Sequence, residues 1–212
     1  MGHARDSRYA ARSHHDVACL LASQPFGWLV SAGGDDACFT PLPLRAELDA
    51  DGQVVALRGH MARRNPHVAR LQRDGHALAM IIGPHAYVSP SWLDDRTQAP
   101  SWNYAAVVFQ LQVQLSEEDA AIREELTALV TQMEAGRPNG WALAEMGERY
   151  KRLATGVTAF RAHVLDTRAT FKLGQDEAPH DFAQLLAGLD STGERTVAAW
   201  MRAFAGTAEP EA

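Results

Sequence analysis

The segment from Gln53 to Arg73 concentrates positive charge. It contains five arginines and no Asp or Glu, although the 212-residue chain has a formal net charge of -6. The arginines are Arg58, Arg63, Arg64, Arg70 and Arg73, and His60 and His67 lie among them. Guanidinium groups bind phosphate through paired, charge-assisted hydrogen bonds. The segment therefore predicts a site for a phosphate group.

A strand and a helix are expected to position these cations. Val54 to Arg58 has the composition of a strand, and Asn65 followed by Pro66 is a typical helix start. The N-terminus of a helix offers unpaired backbone N–H groups and a partial positive charge, which favour an anion. We expect Arg58, Gly59, His60 and Arg63 to surround that anion. A solvated basic helix is the alternative, and it accounts best for Arg70 and Arg73.

Two blocks of aromatic and small polar residues follow between Pro84 and Tyr104. They are Tyr87-Val88-Ser89-Pro90-Ser91-Trp92 and Ser101-Trp102-Asn103-Tyr104. Aromatic faces can stack on a planar ligand while Ser and Asn side chains bond its edge. The alternative is that the aromatic residues are core anchors whose polar tips have partners.

Few other residues carry a chemical signal. Lys172 and Gln175 lie on a connector, Thr170 to Gln175, which the residues alone predict to be solvated. The nine histidines and two cysteines show no metal-ligand spacing, and there is no P-loop, nucleophile elbow or dinucleotide fingerprint. The sequence therefore predicts no metal site and no catalytic acid, base or nucleophile.

The elements around these segments predict about seven strands with helices inserted among them. Pro41 and Pro43 lie two apart in one strand, which places that strand at a sheet edge. His76 to Ile82 is a continuous apolar run and predicts a strand buried on both faces, broken at Gly83-Pro84. Other predicted elements are the helices His14–Gln24, Glu117–Glu134, Asp181–Leu189 and Thr192–Phe204, and the strands Phe26–Ala32, Ala37–Leu44, Trp102–Leu115 and Val157–Thr167. Because strands and helices do not alternate throughout, an antiparallel barrel fits better than a parallel sheet.

Composition narrows the location and the partners. No apolar run approaches the roughly 20 residues of a membrane-spanning helix, and the first residues lack the pattern of a secretory signal. These features predict a cytoplasmic protein without a membrane partner. The predicted helices between Asp181 and Phe204 are net negative, so charge does not support DNA as a partner.

Several blocks together resemble one family. They are Pro25-Phe26, Pro41-Leu42-Pro43-Leu44, Arg58-Gly59-His60-Met61-Ala62-Arg63-Arg64-Asn65-Pro66, Gly83-Pro84-His85-Ala86-Tyr87-Val88-Ser89-Pro90-Ser91-Trp92, Trp102-Asn103-Tyr104 and Lys172-Leu173-Gly174-Gln175. The chain resembles PaiB-type FMN-binding negative transcriptional regulators of the FMN-binding split-barrel superfamily. It departs from the family's pattern at Gly174 and at Asp176-Glu177.

The resemblance implies an α+β, mainly β fold: an antiparallel split barrel over residues 1–176 with inserted helices, and a C-terminal helical extension over 177–212. It implies a homodimer with FMN in a cleft between subunits. The residues implied to bind the cofactor are Arg58, His60, Met61, Ala62, Arg63, Asn65, Tyr87, Ser89, Ser91, Trp92, Trp102, Asn103, Tyr104, Lys172 and Gln175.

Three functions stay open at this point. The first is a dimeric FMN flavoprotein that acts as an oxidoreductase on a small-molecule substrate, with the cofactor carrying the chemistry. The second is a PaiB-like transcriptional regulator without turnover. The third is a haem-binding split-barrel protein, for which His60, His85 or His163 would supply the axial ligand.

Overall fold

The computed structural model describes residues 7–33 and 37–206. The sequence predicts a turn over Gly33-Gly34-Asp35-Asp36, and residues 34–36 of it lie outside the described residues. The helices are α1 His14–Ser23, α2 Pro66–Arg73, α3 Asp119–Glu134, α4 Arg149–Ala154, α5 Pro179–Thr192 and α6 Arg195–Ala205. The strands are β1 Phe26–Ser31, β2 Cys38–Pro43, β3 Arg45–Leu48, β4 Val54–Ala62, β5 His76–Val88, β6 Ser101–Ser116 and β7 Val157–Lys172. The strands form one seven-stranded antiparallel sheet in the order β2-β1-β5-β6-β7-β4-β3.

The chain divides into two compact units. One unit holds the described residues up to Gln24, Ile81–Val108 and the described residues from Arg168. The other unit holds Pro25–Met80 and Phe109–Thr167. We call them the terminal unit and the central unit. The strands β5, β6 and β7 contribute residues to both units.

In the central unit, β4 is longer than the sequence predicts. It pairs with β7 from Ala56 opposite His163 to Ala62 opposite Val157, so the prediction of a strand end at Arg58 is wrong. Gly59 makes this continuation possible, because a Cβ atom there would lie 2.6 Å from the ring of Phe160. The glycine therefore allows close strand packing and does not end the strand.

The strand β5 also differs from its prediction. Burial alternates along it, and Met80 and Ile82 expose 41% and 63% of their surface. The predicted break is absent, since Gly83 and Pro84 lie inside the strand, where a Cβ atom at residue 83 would collide with Leu20. A short apolar run does not show which face of a strand is covered.

Predictions about β2, α2, α5 and α6 are confirmed. The strand β2 with its two prolines lies at one end of the strand order, and α2 begins at Pro66 with Asn65 as its N-cap. In the terminal unit, the apolar residues expected to dock the two C-terminal helices are mostly buried: Leu185, Leu189, Val197, Trp200 and Phe204 are buried, and Leu186 is half-buried. Among the described residues, no helix is long and apolar enough to span a membrane. Within the same residues, no group of three or more His, Cys, Asp or Glu could hold a metal ion.

Candidate functional site

A tight turn joins β4 to α2 in the central unit. The backbone N–H of Asn65 donates to the carbonyl of Ala62 at 2.8 Å, which makes Arg63 and Arg64 the two central residues of a four-residue turn. The N–H of Arg63 donates to the carbonyl of Gly156, also at 2.8 Å. We call residues 62–65 the arginine turn. Its backbone is fixed at both ends, so its two cationic side chains leave from defined positions.

The two arginines of this turn hold their charge close to solvent. Arg63 lies 3.7 Å from Glu117 in an ion pair whose members are 40% and 50% exposed. Such exposed pairs contribute at most about 1 kcal/mol, so a doubly charged phosphate can compete with Glu117. Arg64 is exposed and makes no ion pair with any residue of 7–33 or 37–206. Sequence reasoning left Arg64 out of the predicted site, although it lies beside Arg63 in the same motif.

A chain of buried and partly buried hydrogen bonds holds the far end of the arginine turn. The Asn65 side chain accepts from the N–H of His67 at 3.0 Å and donates to Thr40 Oγ1 at 3.2 Å. Thr40 Oγ1 lies 2.9 Å from His67 Nδ1, and His67 Nε2 lies 3.0 Å from Ser31 Oγ. Ser31 in turn donates to the carbonyl of His76 at 3.0 Å. We call this chain the His67 relay.

The direction of the relay follows from its last bond. Ser31 has one hydroxyl proton, which it donates to a carbonyl. The Ser31 oxygen therefore accepts a hydrogen bond from His67 Nε2–H. His67 Nδ1 is then the acceptor of the Thr40 hydroxyl, which assigns the neutral Nε2–H tautomer. Burial lowers the pKa of His67, and the charge of Arg70 lowers it further. A neutral histidine therefore suits both its environment and its partners.

The α2 N-terminus offers less to an anion than the sequence predicts. Pro66 has no N–H, and the N–H of His67 is taken by the Asn65 side chain. The N–H of Val68 donates to the carbonyl of Asn65 at 2.9 Å. The prediction of unpaired amides is wrong here because the capping side chain uses the amide that a phosphate would need. Any anion at this corner must be held mainly by the arginine side chains.

Arg58 lies in a row of arginines away from this turn. Register places Arg45, Arg58 and Arg161 side by side on β3, β4 and β7. Arg58 bonds to Glu47 at 3.0 Å and to Glu124 at 2.9 Å. The Arg161 hydrogen bond, joined by that of Arg58, lowers the pKa of Glu47 to about 2 against the opposing effect of burial. The predicted phosphate role of Arg58 is untested, but acids of the same unit already neutralise its charge.

The remaining predicted residues of this segment divide between the two faces of β4. Met61 is buried, and Ala62 is exposed at the turn. His60 is partly buried, and its Nδ1 is buried without a hydrogen-bond partner among the described residues. Burial lowers the pKa of His60 against the opposing charge of Glu125. A buried polar atom without a partner is unusual, which makes His60 Nδ1 available to a ligand or a water molecule.

Exposed aromatic rings lie together in the terminal unit. The ring centroid of Trp102 is 6.2 Å from those of both Tyr87 and His85. Trp102 exposes 54% of its surface and Tyr87 exposes 47%. We call these three residues the aromatic face. Its exposure fits the predicted stacking on a planar ligand better than a role in the core.

Trp92 does not belong to this exposed group. Its ring packs on Gly188 of α5 so closely that no Cβ atom would fit at residue 188. Trp92 thus matches the core-anchor alternative for the aromatic blocks. Tyr104 on β6 is half-buried.

The other predicted polar side chains of the terminal unit have partners inside that unit. Ser89 and Ser91 bond to each other at 2.7 Å, and buried Asn103 lies 3.4 Å from the sulfur of Met201. Lys172 donates to Ser101. Lys172 is also the last residue of β7, so the prediction that it lies beyond the last strand is wrong. Gln175 accepts from the N–H of Leu173 at 2.7 Å and donates to the carbonyl of Phe171. These contacts fix the side chains before any ligand arrives.

The fold and the matched sequence define the class of protein. The fold is a mainly β, α+β split barrel. The chain belongs to the family described as "Putative FMN-binding domain", which matches it over residues 5–166. This membership assigns FMN as the cofactor. Lys172 and Gln175 lie outside the matched residues.

One curated protein is similar to this chain in sequence, and solved structures are similar to it in fold. The chain is 29% identical over 173 residues to the "Protease synthase and sporulation protein PAI 2" of Bacillus subtilis, covering 81% of this chain and 82% of the relative. A flavocytochrome from Azotobacter vinelandii shares the fold with a TM-score of 0.61 at 10% identity, covering 80% of this chain and 72% of that one. A FAD and heme binding protein from Mycobacterium smegmatis gives 0.57 at 18% identity, with coverages of 82% and 79%.

The residues present suit the chemistry of FMN. The arginine turn carries two cations for a phosphate, and the aromatic face offers exposed rings for a flat heterocycle. His60 Nδ1 is a further polar atom that has no hydrogen-bond partner among the described residues. Each feature is observed within its own unit.

Proposed function

We propose that this protein binds FMN and that the arginine turn holds the phosphate of the cofactor. The observation that carries the proposal is a pair of solvent-facing arginines on a turn whose backbone is hydrogen-bonded at both ends. A fixed turn lowers the entropy lost when its side chains close on an anion. Arg64 is the principal cation in this proposal because it has no competing acid among the described residues.

In the terminal unit, the aromatic face is proposed, independently of the arginine turn, as a surface for a flat aromatic ligand. Trp102 and Tyr87 present their rings to solvent, and their mutual T-shaped packing at 6.2 Å fixes their orientation. Neighbouring Ser89, Ser91, Asn103, Lys172 and Gln175 would then shape the polar edge of that site. Bound FMN would supply hydride and electron transfer, which is the chemistry of an oxidoreductase.

A homodimer is part of the same proposal. In the central unit, exposed Trp28 on β1 stands directly opposite exposed Met80 on β5. In the terminal unit, Ile82, Tyr87 and Trp102 are exposed as well. Large apolar side chains grouped on a sheet surface are typical of protein interfaces. Sedimentation equilibrium is expected to give twice the chain mass of 23.1 kDa, and a mass of one chain would contradict the dimer.

FMN binding is tested by titration with matched arginine variants. The parent is expected to quench FMN fluorescence at saturation. Arg64→Ala is expected to raise the dissociation constant by about 10- to 100-fold, because a charge-assisted hydrogen bond contributes about 1.5–3 kcal/mol. Arg152→Ala removes another exposed arginine of the central unit and serves as control. An Arg64→Ala protein that binds FMN as tightly as the parent and the control would overturn the proposed site.

A further inference from the structure

We infer that His67 is a positioning residue for the phosphate site, acting on the arginine turn through Thr40 and Asn65. The inference rests on the proposed FMN function and deepens it. His67 is fully buried, and both of its ring nitrogens have hydrogen-bond partners. It does not reach the turn surface, so any effect on the cofactor is transmitted by the side chains between them.

Strand register places the relay on one face of the sheet. Thr40 stands opposite Leu29, and Ser31 stands opposite Cys38. Because opposite residues and residues two apart share a face, Ser31 and Thr40 point the same way. His67 from α2 spans these two hydroxyls. The helix is thereby tied to both β1 and β2 at the point where the arginine turn enters it.

The link from the His67 imidazole to the turn passes through a single hydroxyl, that of Thr40. Thr40 accepts from Asn65 and donates to His67, so its oxygen orients the carboxamide of Asn65. The other end of that carboxamide caps α2. Without the Thr40 hydroxyl, the Asn65 side chain loses one of its two anchors. The turn that presents Arg63 and Arg64 then samples more conformations, and phosphate affinity falls.

Protonation of His67 would reverse the relay. A proton on Nδ1 would face the Thr40 hydroxyl, which would have to accept and turn its own proton away. The charged or titratable groups on the surrounding elements are Arg70 and its partner Asp74, Arg73 at the end of α2, His76 at the start of β5, and Cys38 on β2; β1 has none. Burial and Arg70 lower the pKa of His67 from its ordinary value of 6.5, so FMN affinity is expected to fall only once the pH drops below that lowered pKa.

Two threonines of the central unit allow a matched test. Thr40→Val removes the bridging hydroxyl, whereas Thr158→Val removes a buried hydroxyl that has no hydrogen-bond partner among the described residues. Thr40→Val is expected to raise the FMN dissociation constant about tenfold and to leave riboflavin binding unchanged. Thr158→Val and Thr40→Ser are expected to match the parent. Equal FMN affinity of Thr40→Val and Thr158→Val would overturn the inference.

Two further measurements complement the threonine variants, and the first uses the parent protein alone. Nitrogen-15 NMR of the parent is expected to show neutral His67 with its proton on Nε2, and the Nδ1–H tautomer would contradict the relay. Since the phosphate of FMN titrates in the same pH range, pH profiles are compared between the parent and His67→Gln. The parent profile is expected to fall more steeply once the pH drops below the lowered pKa of His67, and identical profiles would overturn the inference. If Arg64→Ala also binds FMN normally, the proposed phosphate site itself fails; if Arg64→Ala binds weakly, only the positioning role fails.

Discussion

Replacing Arg45 by Ala is expected to lower the free energy of unfolding by about 3–5 kcal/mol, because it leaves a buried carboxylate without its partner. Arg45 Nη2 lies 2.6 Å from Glu125, whose side chain is only 3% exposed. The pair joins β3 to α3, and the neighbouring Arg58–Glu124 bond joins β4 to the same helix. The variant therefore weakens the attachment of α3 to the β3–β4 hairpin.

Urea unfolding followed by circular dichroism measures this effect. Lys151→Ala is the control, since Lys151 pairs with Glu148 where the two side chains are 72% and 88% exposed. Exposed pairs contribute at most about 1 kcal/mol, so the control is expected to unfold almost like the parent. Equal midpoints for the two variants would show that the Arg45–Glu125 pair does not secure α3.

Phe171→Ala is expected to cost a similar amount, about 3–5 kcal/mol, for a different reason. Phe171 is fully buried in the terminal unit, and its ring stacks on Phe204 at 5.0 Å and on Trp200 at 6.0 Å. Removing the ring leaves a cavity beneath α6. Since the Phe171 carbonyl also receives the Gln175 side chain, the loss is expected to loosen the segment after β7.

The matched comparison for this variant is Leu153→Ala, which removes a half-exposed apolar side chain from α4. Partial exposure reduces the transfer free energy lost on truncation, so Leu153→Ala is expected to shift the thermal midpoint much less. A Phe171→Ala protein that melts with the Leu153→Ala control would show that the aromatic stack adds little stability.

Local chemistry made much of the fold predictable. The alternation from Trp102 to Leu115 marks one strand, and the structure buries its odd-numbered residues from Asn103 to Val113. The Asn65-Pro66 pair marks a helix start because capping and the fixed proline φ act within a few residues. The two prolines of β2 mark an edge because proline cannot donate to a neighbouring strand. Each of these signals depends only on near neighbours in sequence.

The charge of Arg58 shows what local chemistry cannot reveal. The segment from Gln53 to Arg73 contains no acid, yet Arg58 is neutralised by Glu47 and by Glu124, which is 66 residues away. Tertiary pairing brings those acids to β4, so a charge count within one segment overestimates the free positive charge. Arg64 is the reverse case: its neighbours in sequence are the same, but its place at the centre of a turn keeps it in solvent.

The His67 relay was also beyond sequence reasoning. Its members come from β1, β2 and the start of α2, and its order depends on strand register. The prediction of unpaired amides at the α2 N-terminus failed for a local reason. The same Asn65 that marks the helix start accepts hydrogen bonds from the N–H groups of the first turn. A strong N-cap and a free anion site compete for the same donors.

The central claim is that the arginine turn recognises the phosphate of FMN, and riboflavin tests it most directly because it is the same flavin without the phosphate. The dissociation constants of FMN and riboflavin are measured for the parent and for the Arg63→Ala/Arg64→Ala double variant. The parent is expected to prefer FMN by about 100-fold or more, and the double variant is expected to lose most of that preference while binding riboflavin as before. A double variant that keeps the full preference for FMN would contradict the account.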